Sequence, residues 1–96
     1  MNTPISRVIV ICNPQGLHAR PAEMLARTAQ KFSAKIEIIR DTQRADVRSI
    51  MDLLTLGALQ GTELVLEAEG EDAAEAVEVL ATMVEEGFSE EETDTA

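Results

Sequence analysis

Hydrophobic positions along this chain change period several times, and each change marks an element. Residues 5–12, ISRVIVIC, are apolar and largely β-branched, which predicts a strand whose second half is mostly buried. Cys12 ends that run and is expected to pack as a small buried hydrophobe. Asn13-Pro14-Gln15-Gly16 is a cluster of turn formers. Beyond it, Ala22, Leu25, Ala26, Ala29 and Phe32 follow the i, i+3, i+4, i+7 stripe of an amphipathic helix. Pro21 is tolerable only in the first turn of that helix, where its missing N–H has no intrahelical acceptor. The helix therefore starts near His18–Ala19 and ends near Lys31, with Arg20, Met24, Arg27 and Lys31 outward.

Residues 35–40, KIEIIR, alternate like a strand. Asp41-Thr42-Gln43 reads as a turn and Arg44–Val47 as a short strand. Ser49 is a good helix N-cap and Gly57 a good stop. Five of the seven residues between them are apolar. Ile50, Leu53 and Leu56 share one face, which leaves Met51 and Leu54 on another. That surplus marks either a partner surface or a crowded core. Glu63–Glu69 alternates cleanly, with Leu64, Leu66 and Ala68 inward. Ala73, Ala76, Val77, Leu80, Ala81 and Val84 then define a long helix whose outer face carries Glu75, Glu78, Glu85 and Glu86. Gly87 closes it. Ser89–Ala96 is acidic and aperiodic, the pattern of a disordered tail. The expected organisation is one domain over 1–88 and a tail over 89–96. The order βαββαβα, with helices segregated to one face of the sheet, predicts an α+β two-layer sandwich.

Composition narrows the function. Ninety-six residues support one modest core and leave little room for a deep substrate cleft. The net charge is −10, but it is divided unevenly. All eight bases lie in residues 1–48 beside four acids, whereas residues 49–96 hold fourteen acids and no base. With no Trp or Tyr and two Phe, the chain lacks stacking platforms for single-stranded nucleic acid. Its acidity also repels phosphate backbones, so no nucleic-acid partner is expected. One His and one Cys do not make a zinc site, and no metal or other cofactor is expected. A single Cys allows no intrachain disulfide, which fits a reducing compartment. The apolar run Val8–Cys12 is too short for a signal sequence or a membrane span. A cytoplasmic protein without membrane insertion is expected.

The chemistry concentrates in Gly16-Leu17-His18-Ala19-Arg20-Pro21-Ala22. The chain's only His stands at a helix start, two residues before an Arg. The first turn of a helix leaves backbone N–H groups unpaired at the positive end of the dipole. That is an anion site, here next to an imidazole and a guanidinium. A neutral imidazole has a lone pair that can attack phosphorus. The same residues also fit a capping His and a solvated Arg, and Ser49 also fits an ordinary cap. On residue chemistry alone, both readings stand.

Three segments then resemble one family. GLHARPA at 16–22, SIM at 49–51 and LTLGALQG at 54–61, followed by a closing amphipathic helix, are similar to HPr. These are the histidine-containing phosphocarriers of the bacterial phosphoenolpyruvate-dependent phosphotransferase system. The resemblance covers residues 5–87. It implies an open-faced sandwich with an antiparallel sheet ordered 1-4-2-3 and three helices on one face. It also implies a monomeric carrier rather than an enzyme. His18 would be phosphorylated through Nδ1 by Enzyme I, the phosphoenolpyruvate-protein phosphotransferase, and an IIA-type domain would accept the group. Arg20 would assist transfer, with Ala19 and Arg20 holding the phosphate. Ala19, Arg27, Ile50, Met51 and Leu54 would dock partners, which resolves the apolar surplus. Ser49 would be the regulatory position addressed by HPr kinase/phosphorylase.

Two departures qualify the resemblance. Asp52 replaces a small residue usual in the Gram-positive proteins, and its charge opposes recognition by such a kinase. The ending Glu85-Glu86-Gly87-Phe88 is similar to NPr, the carrier of the nitrogen-related regulatory relay. A transient His18 nucleophile in a true enzyme lacks a second acid–base group in the sequence. A pure interaction module would not need the His within GLHARPA. Finally, His18, Arg20, Arg27, Lys31 and Arg48 all belong to the basic half, so a basic docking face with an acidic back is expected.

Overall fold

The computed structural model describes residues 3–89. Strand β1 (Ile5–Val10) leads to helix α1 (Ala19–Ala29), strands β2 (Lys35–Arg40) and β3 (Gln43–Asp46), and helix α2 (Ile50–Thr55). Strand β4 (Glu63–Glu69) and helix α3 (Ala73–Glu85) follow, and a 3-10 turn, Gly87–Ser89, ends the described chain. The four strands form one antiparallel sheet ordered β1-β4-β2-β3. This is the α+β open-faced sandwich with three helices that the resemblance implies. The order puts β4 in the interior of the sheet although it is the last strand in the chain, because the α1 crossover carries β2 past the position that β4 fills.

Side-chain alternation fixes the register. Ile9, Ile36, Ile38, Ala45, Leu64, Leu66 and Ala68 point into the helix layer and are all but inaccessible. Pairs such as Ile9↔Leu64 and Ile38↔Leu66 keep these residues opposite one another. From the helices come Ala22, Leu25, Ala26 and Ala29 of α1, Leu53 of α2, and Ala76, Val77, Leu80, Ala81 and Val84 of α3. Each fully buried Leu or Ile contributes about 1.5–3 kcal/mol relative to an exposed one. The small residues of α3 let it lie close to β1 and β4, whereas α1 packs mainly against α2 and α3.

Several expectations shift. The second half of β1 is not continuously buried: Val8 and Val10 are 59% and 42% exposed, whereas Ile9 is 1%. Helices cover only one face of the sheet, so every second residue faces out. Cys12 is exposed rather than buried. Its thiol donates to the Val84 and Glu85 carbonyls at the end of α3, at 3.1 and 3.3 Å. Helix α1 ends at Ala29, and β3 begins one residue early at Gln43, opposite Arg40. The hairpin turn is therefore Asp41-Thr42, with Asp41 at φ +56°.

Two side chains tie elements together in ways the pattern does not reveal. Asp72, before α3, makes no cap bond of its own. Its carboxylate instead accepts the N–H groups of Ser33 and Ala34, each at 2.9 Å. The Ser33 bond leads in holding its pKa below the ordinary carboxylate value. Arg40 donates to the carbonyls of Leu56 and Gly57 at 2.7 and 3.0 Å, which caps α2 from the β2–β3 hairpin. Gly87 closes α3 at φ +65°, and Phe88 turns back into the core at 4% exposure. Ser89 belongs to this turn rather than to the tail. The rest of the expected tail, 90–96, lies outside the described residues.

Candidate functional site

The site is built where the loop after β1 becomes α1. Asn13 is buried, and its Nδ2 donates to the Gly16 carbonyl at 2.7 Å. The Gly16 N–H returns to the Asn13 carbonyl at 3.1 Å. The Leu17 N–H then donates to the Ala58 carbonyl at 2.9 Å, which clamps this loop to the one after α2. Gly16 has φ +71°, and a Cβ there would stand 2.5 Å from the Ala58 carbonyl oxygen. Only glycine satisfies both the dihedral and the contact. The loop that presents the next residues is thus set by backbone packing.

His18 is the N-cap residue of α1, extended at φ −94° and ψ −168°, and half-buried. Its carbonyl accepts the Ala22 N–H at 3.0 Å, the first bond of the helix. The imidazole does not cap the helix, and no acid occupies the first turn. Ala19 and Arg20 supply first-turn N–H groups with no carbonyl four residues back inside the helix, and Pro21 supplies none. Arg20 is exposed beside them. A phosphoryl group at this helix start would meet the positive end of α1.

Ala19, Arg20, Glu23, Met24, Arg27 and Thr28 of α1 line a shallow open groove with Met83 of α3. This brings Ala19, Arg20 and Arg27 of the expected set together. Arg27 is exposed and pairs with Glu23 at 3.0 Å. A second depression joins Glu23, Ala26, Arg27 and Gln30 of α1 to Arg48 and Ile50. Helix α2 packs against α1 there, and its outer side exposes Ile50, Met51 and Leu54 beside the polar Asp52 and Thr55. Met51 is 71% exposed, and Ile50 and Leu54 are each 37%. Leu53 and Leu56 are buried, so Ile50 sits at the margin rather than on the core face expected from its spacing.

Ser49 is the N-cap of α2. Its Oγ accepts the Asp52 N–H at 3.1 Å, and the Asp52 carboxylate accepts the Asp46 N–H at 3.3 Å. Asp52 is therefore tied into the helix start that contains Ser49. Arg48 donates to the Phe32 carbonyl and to that extent serves packing.

Sequence reasoning missed three contributors. Leu59 is 70% exposed on the loop that meets Gly16, so it adds apolar surface beside the His18 loop. Its sequence signals are a large apolar residue inside a turn segment and its place within LTLGALQG at 54–61. Met83 reaches the α1 groove from the acidic half of the chain, and Asn13 braces the loop. The expected division of charge by face also needs correction. Arg7 pairs with Glu85 at 2.7 Å, and Arg44 pairs with Glu37 at 2.8 Å and Glu67 at 3.0 Å on the open sheet face. Arg40 is committed to α2. The bases on the α1 side are Arg20, Arg27, which pairs with Glu23, Lys31 and Arg48.

Comparison with known proteins places this arrangement. The family described as the PTS HPr component phosphorylation site matches residues 5–86. The chain is 34% identical over 87 residues to phosphocarrier protein HPr of Treponema pallidum, covering 91% of this chain and 99% of that one. It is 36% identical over 88 residues to phosphocarrier protein NPr of Shewanella violacea, covering 92% and 97%. The crystal structure of HPr from Thermoanaerobacter tengcongensis superposes with a TM-score of 0.85 at 40% identity, covering 88% of this chain and 96% of that one. The half-buried His18 at the head of α1, the fold and these matches lead to one conclusion: the chain belongs to the HPr family of phosphocarriers.

Proposed function

We propose that this protein accepts a phosphoryl group on His18 from phosphorylated Enzyme I and passes it to an IIA-type domain. The observation that carries this reading is the placement of His18 as the N-cap of α1 with Arg20 in the first turn. The Nδ1 lone pair attacks phosphorus as the bond from phosphorus to the donor breaks. The displaced donor group leaves with its electron pair, and the second transfer repeats the exchange in the other direction. The reaction needs in-line geometry and charge neutralisation more than covalent help from the protein. First-turn N–H groups of Ala19 and Arg20 and the Arg20 guanidinium supply that neutralisation. Ala19, Arg27, Ile50, Met51 and Leu54 dock both partners in turn, and Leu59 extends their surface.

The protein works as a stoichiometric cytoplasmic carrier and as a monomer, without a cofactor. Among the described residues no helix is long and apolar enough to cross a membrane. The shallow groove that Ala19, Arg20 and Arg27 line runs from the first turn of α1 that follows His18, and so open a surface suits two successive macromolecular partners better than a small substrate. The test is incubation with phosphoenolpyruvate and Enzyme I, then with an IIA domain. One acid-labile, hydroxylamine-sensitive phosphate per chain, lost on addition of the IIA domain, is the expected result. Turnover of a small substrate without partners would contradict it.

The second reading is the NPr relay, favoured by the ending Glu85-Glu86-Gly87-Phe88 and by the Shewanella relative. It keeps the same chemistry at His18 and differs in the acceptor. Transfer to a nitrogen-type IIA protein in preference to a sugar-type one would establish it.

Ser49 is the regulatory position in this reading, open to HPr kinase/phosphorylase, with the neighbouring Asp52 carboxylate opposing the added charge. Ser49→Asp is expected to weaken association with Enzyme I by about tenfold, since it sets a charge beside an apolar docking patch. Asp is itself a good N-cap, so α2 should persist by circular dichroism. Unaltered binding would remove Ser49 from the regulation.

A further inference from the structure

We propose that Met51 is a peroxide-sensitive modification site that turns the docking surface off. The proposal rests on the carrier reading above. Among the described residues there are three methionines, Met24, Met51 and Met83. Met24 and Met83 are half-buried and pack against the core. Met51 is 71% exposed, next to Ile50 and Leu54 on the outer side of α2. Among the described residues the most accessible thioether thus sits in the apolar patch that a partner must cover.

The reaction needs only hydrogen peroxide or another two-electron peroxide. With hydrogen peroxide, the thioether sulfur of Met51 attacks one oxygen, the O–O bond breaks, the proton on the attacked oxygen passes to the departing hydroxide, and that oxygen leaves as water. Sulfur is oxidised by two electrons and carries one new oxygen. The product replaces a flexible apolar side chain with a polar one. Methionine suits a surface that accepts different partners because it is unbranched and adaptable, and the sulfoxide loses that advantage. When a partner buries the patch, the sulfoxide oxygen is desolvated without a designed donor. His18, Arg20 and the first turn of α1 are untouched. Oxidation therefore raises the KM of phosphorylated Enzyme I for this carrier, by about tenfold, and leaves kcat in place.

The exposed Cys12 thiol is a second target for peroxide, and the two are separable. A thiol reductant reverses sulfenic acid and disulfide but not sulfoxide, whereas methionine sulfoxide reductases reverse the sulfoxide. The full chain is treated with hydrogen peroxide, reduced with dithiothreitol, mapped by peptide mass spectrometry and assayed with phosphoenolpyruvate and Enzyme I. Met51→Leu is treated in parallel, and each protein is compared with its own untreated sample. The expected result has three parts: Met51 gains oxygen before Met24 and Met83, wild type shows the raised KM until the reductases restore it, and Met51→Leu shows no peroxide-dependent change. Earlier oxidation of Met24 or Met83, unchanged KM with Met51 fully oxidised, or an equal loss in Met51→Leu would each overturn the proposal. Untreated protein that takes no phosphoryl group would overturn the carrier reading, and this proposal with it. Sound transfer before treatment and after full Met51 oxidation would overturn this proposal alone.

Discussion

Arg20→Ala slows phosphoryl transfer from Enzyme I by about 10²–10³-fold, the cost of removing one preorganised group from a developing anion. The Arg20 side chain is exposed, and Arg20 is the second residue of α1. The substitution takes nothing from the core, and alanine is a better helix former. Thermal unfolding should therefore stay close to wild type while the single-turnover rate falls. Arg20→Lys should recover part of the rate, because it restores charge but not the planar donor fork. An unchanged rate would remove Arg20 from the transfer step. A fall in both rate and stability would make its role structural.

Gly16→Val destabilises the fold by about 3 kcal/mol or more, since it combines backbone strain with a backbone clash. Gly16 stands at φ +71°, and its added Cβ would meet the Ala58 carbonyl oxygen at 2.5 Å. A β-branched residue at positive φ is strained even in open space. The contact also lies where Leu17 donates to the same carbonyl, so relief of the clash opens the clamp that holds His18 in place. Three kcal/mol is a large share of the stability of a domain this small. Urea unfolding should show the loss in the midpoint, and residual folded protein should transfer phosphate poorly. A loss below about 0.5 kcal/mol, the usual range for surface changes, would show that the loop adapts and that the glycine is not what sets it.

These two residues illustrate what the sequence makes legible. Local rules gave Gly16 a turn and Arg20 a helix start, and both positions agree with the structure. The inward sets of β4 and α3 were readable in full, because one face of each is buried and the period is clean. The helix layer covers only one side of the sheet, and that is where reading failed. Val8 and Val10 look like core in a run of apolar residues but face outward. Cys12 failed for the same reason, one residue beyond the buried Ile11.

The candidate site divides in the same way. His18, Arg20 and Ser49 stand at helix starts, which leave marks in sequence. Leu59, Met83 and Asn13 act through contacts between distant segments, and nothing in their neighbours announces that. The charge division shows the limit most plainly. The bases cluster in the first half of the chain, yet β-pairing carries Arg44 onto Glu37 and Glu67, and packing carries Arg7 onto Glu85. Topology redistributes charge that the linear sequence keeps apart. What remains on the α1 side is Arg20 at the helix start beside His18, with Arg27 in the last turn paired to Glu23.

The central claim is that His18 carries the phosphoryl group. Wild type and His18→Ala are each incubated with phosphoenolpyruvate labelled in its phosphoryl group and a catalytic amount of Enzyme I. Label is then counted per chain and located by peptide mapping under alkaline conditions. The account predicts one label per wild-type chain, confined to the peptide that holds His18, and none on a His18→Ala protein that retains its fold by circular dichroism. Equal labelling of the two proteins, or no label on wild type, would contradict it.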